Sequence, residues 1–111
     1  MKRVFYASGS LVTSDRTAEA LVNLAAALAV RESSESVDIP IRLDDGTTGR
    51  AQLLIGPASQ LVVVPEEGED GEPKEDDELL ADLSRRTRAL SSPHPQAVDE
   101  DPGTYYAEGD G

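Results

Sequence analysis

The chain has 111 residues, no cysteine, and 22 acidic against 10 basic residues, for a net charge of −12. That length allows one small domain; the missing cysteines exclude disulfides, thiolate metal sites and a cysteine nucleophile, and the negative field disfavours direct contact with nucleic acid. The imbalance is concentrated in residues 66–111, with 15 acidic and 4 basic residues against 7 and 6 in residues 1–65, so a near-neutral half that can fold precedes one whose carboxylates repel each other.

Arg3 to Ala7 reads as a strand, with Val4 and Tyr6 on one side and Phe5 on the other, and Ser8-Gly9-Ser10 turns the chain before Leu11-Val12-Thr13. The period then changes. Thr13 or Ser14 is placed to cap a helix over 14–32, and Asp15 and Glu19 at its start and Arg31 at its end suit the helix dipole. Ala18, Leu21, Val22, Ala25, Leu28 and Ala29 make its apolar stripe. After the polar break Glu32 to Ser36, the alternation of Val37, Ile39, Ile41 and Leu43 predicts a strand, in which Pro40 faces outward and marks an edge or a solvent-facing amide. The turn Asp44 to Gly49 and the return Arg50 to Ile55 complete a hairpin over 37–55. Leu61-Val62-Val63-Val64, within a strand at 60–64, is apolar at consecutive positions, so either both of its faces are covered or one meets a partner.

Glu66 to Pro73 begins an acidic linker, 66–75, without a packing pattern. Over 76–90 the leucines Leu79, Leu80, Leu83 and Leu90 share one helical face, with carboxylates at the start and Arg85, Arg86 and Arg88 at the end. Residues 91–111 carry Pro93, Pro95, Pro102, several glycines and more acid, which predicts a disordered acidic tail. The expected fold is α+β: a core over 1–65 with a small, mainly antiparallel sheet of about three to four strands and one long helix on it, then the linker, an amphipathic helix and the tail.

Chemistry is sparse. His94, the single histidine, sits between two prolines in the tail and cannot be held rigidly against a nucleophile or metal. Ser8 and Ser10 lack the Gly-x-Ser-x-Gly elbow, and Gly46, Gly49 and Gly56 lack phosphate-loop spacing. With Gly71 at the sixth position of a calcium loop, Gly68 takes the third, Pro73 and Lys74 intrude, Asp77 replaces the bidentate glutamate, and the match fails. Asp44 and Asp45 before a glycine are turn residues first and acid catalysts second; with Asp38 they are the carboxylates a small-molecule enzyme would use. No cofactor or metal is implied.

The order of an aromatic strand, Asp15-Arg16 opening an apolar helix, the Glu32 to Ser36 break, a hairpin ending in Gly49-Arg50, and Ile55-Gly56-Pro57 before a β-run resembles a group of short uncharacterised actinobacterial proteins over residues 3–64. Some of these are labelled ATP-dependent DNA ligase. The resemblance implies architecture more than function and carries over no biochemical role; ligase catalysis by this chain alone is rejected, and an accessory role beside a DNA enzyme is left as an alternative. A nucleotidyl-transferring ligase uses Lys-x-Asp-Gly in a much larger fold, and this chain offers only Lys2 and Lys74-Glu75-Asp76-Asp77.

The expected function is therefore non-enzymatic and works through protein contacts. A core this small buries only about 60% of its unfolded surface, and with no disulfide available self-association into a homo-oligomer is the remaining support. Candidate contact residues are Leu61, Val62, Val63, Val64, Leu79 and Leu83, with Glu66, Glu67, Glu69 and Asp70 as an acidic set. The alternative is an acidic nucleic-acid mimic that occupies a DNA-binding protein. No run approaches the ~18 apolar residues of a membrane span, and Met1 to Tyr6 is too short for a signal peptide; the expected setting is the cytoplasm, without membrane association.

Overall fold

Alternating side chains in the first half of the chain build a five-stranded antiparallel sheet in the order β4-β3-β2-β1-β5, and two helices cover one of its faces. In this computed structural model residues 1–7, 9–68 and 71–91 are described; of the tail expected at 91–111, residues 92–111, with His94, lie outside them. In chain order the elements are β1 (Lys2–Tyr6), β2 (Gly9–Thr13), α1 (Asp15–Arg31), β3 (Glu35–Arg42), β4 (Thr48–Ile55), β5 (Leu61–Pro65) and α2 (Asp77–Ser91).

The sheet has more strands than the pattern predicts because Gly9–Thr13 forms β2. Tyr6 pairs with Gly9 across a two-residue loop, and Ala7 takes a positive φ of 54°, the backbone hand that tight hairpins require. Leu11 to Thr13 thus fold straight back on β1. Pro40 is explained the same way. In the β3–β4 ladder it sits at a pair that does not exchange bonds with β4, because the neighbouring phase is set by Leu43 N–H donating to the Thr47 carbonyl (2.7 Å). Its nitrogen and carbonyl therefore face β2, whose pairing with β3 is confined to Val12 and Arg42. β2 has ended there, and the Thr13 hydroxyl donates to the Pro40 carbonyl at 2.7 Å. An internal strand thereby tolerates a missing donor.

Ser14 caps α1, its hydroxyl accepting from the Thr17 amide. At the far end Glu32 is left-handed (φ 52°), its amide donating to Ala29 and that of Ser33 to Leu28, which satisfies the last carbonyls. The buried stripe is Thr17, Ala18, Leu21, Leu24, Ala27 and Leu28. It is rotated from the predicted one: Val22 and Ala29 are exposed and Leu24 and Ala27 face inward, because α2 as well as the sheet packs on this helix.

Leu21, Leu24 and Leu28 meet Val37 and Ile39 of β3, Leu53 and Ile55 of β4, and Leu83 of α2 in one core. Leu43, expected inward, is exposed at the end of the hairpin. α2 begins where the Asp76 carboxylate accepts from the Leu79 amide at 3.1 Å. It is fastened to β3 by Arg86, which donates to the Glu35 carboxylate (3.2 Å) and to the Ser36 carbonyl (3.1 Å). Its leucine stripe is thus buried within the chain.

Candidate interaction surface

The face of the sheet turned away from the helices is set by alternation in register. Across it run Val64, Arg3, Val12, Arg42 and Thr48 in one row, and Val62, Phe5 and Ser10 in the next. The middle of the first row, from Arg3 to Arg42, is closed over. Glu66 accepts from Arg3 at both carboxylate oxygens (2.9 and 3.0 Å) and from Arg42 at 3.0 Å. Because Arg3 and Arg42 flank Val12, the ion-paired bridge lies over that valine, which is only 3% exposed. The Arg3 guanidinium, with Arg42 beside it, holds the Glu66 carboxyl below the usual carboxylate range against an opposing desolvation effect, and the same contact raises the Arg3 guanidinium.

The second row is open. Phe5 is 44% and Val62 57% exposed, directly opposite each other, with Val64 alongside. Next to them a groove runs between Phe5, Tyr6 and Val62 on one side and Leu54, Pro57 and Ala58 on the other. The Tyr6 hydroxyl donates to the Leu54 carbonyl, so the curled sheet brings the end of β4 towards β1, and five residues, 56–60, suffice to carry the chain from β4 to β5.

β5 is an edge strand, paired with β1 alone. The Glu66 amide donates to the Met1 carbonyl at 3.1 Å, which fixes the phase of this ladder: Val62 and Val64 exchange bonds with Phe5 and Arg3, whereas Leu61 and Val63 turn N–H and C=O to the open side. Pro65 presents only a carbonyl there. The opposite edge is better guarded. On the open side of β4 stand Thr48, Arg50, Gln52 and Leu54, three of them polar or charged, with the Leu54 carbonyl already taken by Tyr6.

The candidate residues separate accordingly. Leu61 and Val63 are half-buried toward the helices, Val62 and Val64 are outward, so one face of this apolar run is bare. Leu83 is fully buried and Leu79 partly so, against the chain's own core; their surface is occupied within the molecule. Glu66 is held by two arginines, Glu67 is exposed, and Glu69 and Asp70 lie outside the described residues. Phe5 and Leu54 are absent from the sequence-derived set; the only signal for Phe5 was that it opposes Val4 and Tyr6 across its strand.

The segment expected to be a linker without packing lies against the fold. Pro73 is buried, Glu75 pairs with Arg16 at 3.2 Å, and the Met1 amine lies 3.1 Å from Asp15 and 3.8 Å from Glu72. Gly71 has φ +78°, and a Cβ there would collide with the Gly46 carbonyl and the Arg42 stem, so a side chain is excluded by both hand and space. Among the described residues no group of three or more His, Cys, Asp or Glu is arranged to hold a metal, and no helix is long and apolar enough to cross a membrane. Asp45 accepts from the Thr47 amide (3.0 Å) and hydroxyl (2.6 Å), contacts that lower its pKa and give it a turn role; Asp38 pairs with Arg50 at 2.8 Å.

No protein-family model matches the chain, and no curated protein or solved structure matches it either.

Proposed function

We propose that this is a non-enzymatic cytoplasmic protein that works by accepting an extended protein strand along β5. The observation that carries this reading is the open side of β5, where backbone donors and acceptors of Leu61 and Val63 stand beside the bare pair Phe5 and Val62. Strand addition uses such an edge for affinity and neighbouring side-chain surface for selectivity. Edges that must stay unpaired normally carry charge, a bulge or a cover. β5 reads Leu-Val-Val-Val-Pro, and its one blunting device is Pro65. The acidic mimic draws less support, since Glu66, Glu72 and Glu75 each face a cation of the same chain.

The test is a display library of random peptides presented to the sparsely immobilised full chain. Enrichment of extended, β-branched or aromatic sequences is expected. It should vanish in Val63→Pro, which removes an open-side N–H while leaving the bonds to β1 intact, and in the surface change Val62→Lys. A chain that enriches no such peptides, or does so equally in both variants, refutes the reading.

A further inference from the structure

Resting on that reading, we infer that the strand accepted by β5 is β5 of a second copy of this chain, added antiparallel about a two-fold axis at Val63. The open side of the strand is self-complementary in this register. Val63 faces Val63 of the copy, and the two exchange both N–H···O bonds; the Leu61 amide of each chain then meets the Pro65 carbonyl of the other. Pro65 has no donor to offer, so the Leu61 carbonyls at the two ends stay open to water. With this axis all five residues of β5 overlie all five of the copy.

Charge favours the same partner. The chain carries a net −12, so two copies repel wherever carboxylates face each other. β5 is uncharged, and the outer-face carboxylates Asp38 and Glu66 are each paired with arginines of the same chain. The molecule therefore approaches its own copy with least repulsion along this strand. A basic partner would be drawn instead to the acidic start of α2, at Asp77 and Glu78.

Pairing also covers apolar surface. Val62 comes to lie opposite Val64 of the copy, so that Phe5, Val62 and Val64 of both chains form one strip over the joined sheet. An interface of this kind uses the same patch on both chains and closes on itself. Growth stops at two chains because the other edge, β4, presents Thr48, Arg50 and Gln52 and a carbonyl already bonded to Tyr6.

The absence of cysteine from the chain gives a clean background for the test. In the proposed register residues 62 and 64 form a closely spaced pair across the axis, whereas 62 and its own copy are offset along the strands. Full-length Val62→Cys and Val64→Cys chains, mixed under mild oxidation, are expected to form the mixed disulfide in large excess over either self-disulfide. Sedimentation of the unmodified chain is expected to show twice the 11.8 kDa mass, and Val62→Lys, which changes an exposed side chain, to remain monomeric at the same concentrations. Rapid self-coupling of Val62→Cys would place the axis elsewhere and overturn the register. A monomer at all concentrations with no mixed disulfide would overturn the inference outright; peptide enrichment sensitive to Val63→Pro in that case would leave strand acceptance standing with a different partner.

Discussion

The two faces of this sheet draw on the same kinds of residue and meet opposite fates. The inner face sets Val37, Ile39, Leu53 and Ile55 against three leucines of α1 and Leu83 of α2, and all of them are buried. The outer face places Phe5, Val62, Val64 and Leu54 in the same β-branched and aromatic style, and these remain exposed. Hydrophobicity by itself does not distinguish them. What differs is that two amphipathic helices are available for one face, whereas among the described residues the cover found over the other is the Arg3–Glu66–Arg42 bridge at Val12 with the segment that follows Glu66.

Substitutions can break or sharpen that contrast. The largest effect is expected on the inner face: Leu83→Ala leaves a cavity where α2 meets the core and should cost about 2–5 kcal/mol in urea denaturation. Thr13→Val comes next. It leaves the Pro40 carbonyl, where β3 lacks a strand neighbour, without its donor and should cost about 1–3 kcal/mol. A loss below the noise would mean that water reaches this carbonyl from the outer side.

Glu66→Gln probes the ion-paired cover over Val12 on the outer face. Because the folded carboxyl titrates below its ordinary value, its contribution to stability is fully present above the unfolded carboxylate pKa and disappears as pH falls through the lower, folded value. The native chain should therefore exceed the Gln variant in thermal stability at neutral pH, and the gap should close in acid. A gap independent of pH would assign the role of Glu66 to shape rather than charge. The smallest effect on folding is expected from Val62→Lys, within about 0.5 kcal/mol, although it should abolish association. A large loss of stability there would show that the outer face is part of the core after all.

Much of this architecture is legible in the residues. The helix over α1, its Ser14 cap, the hairpin over β3 and β4, the strand at β5 and the leucine-striped α2 all follow from periodicity and capping chemistry, because those signals are local. β2 was not, since five residues beginning Gly-Ser offer little alternation and the fold-back depends on a left-handed Ala7. The packing of the acidic segment was also hidden. Its anchors, Arg3, Arg16 and Arg42, lie between 24 and 63 positions away in the chain, and no short window contains both halves of such a pair.

The candidate surface divides the same way. Composition pointed to Leu61–Val64 as a run with too many apolar faces, but gave no sign that Phe5 would stand opposite Val62 or that Glu66 would be drawn off into a bridge. The register between β1 and β5 decides both.

By itself the sequence determined which segments other than β2 become helix or strand, that the chain is acidic and free of cysteine, and which residues alternate with which. Only the tertiary structure decided which face each apolar residue joins, that α2 docks on its own chain rather than elsewhere, and that β5 ends as an unguarded edge. The physical reason is range: propensity, capping and periodicity act over a few residues, whereas burial and strand pairing join positions far apart, and these follow from how the helices divide the faces of the sheet between themselves and solvent.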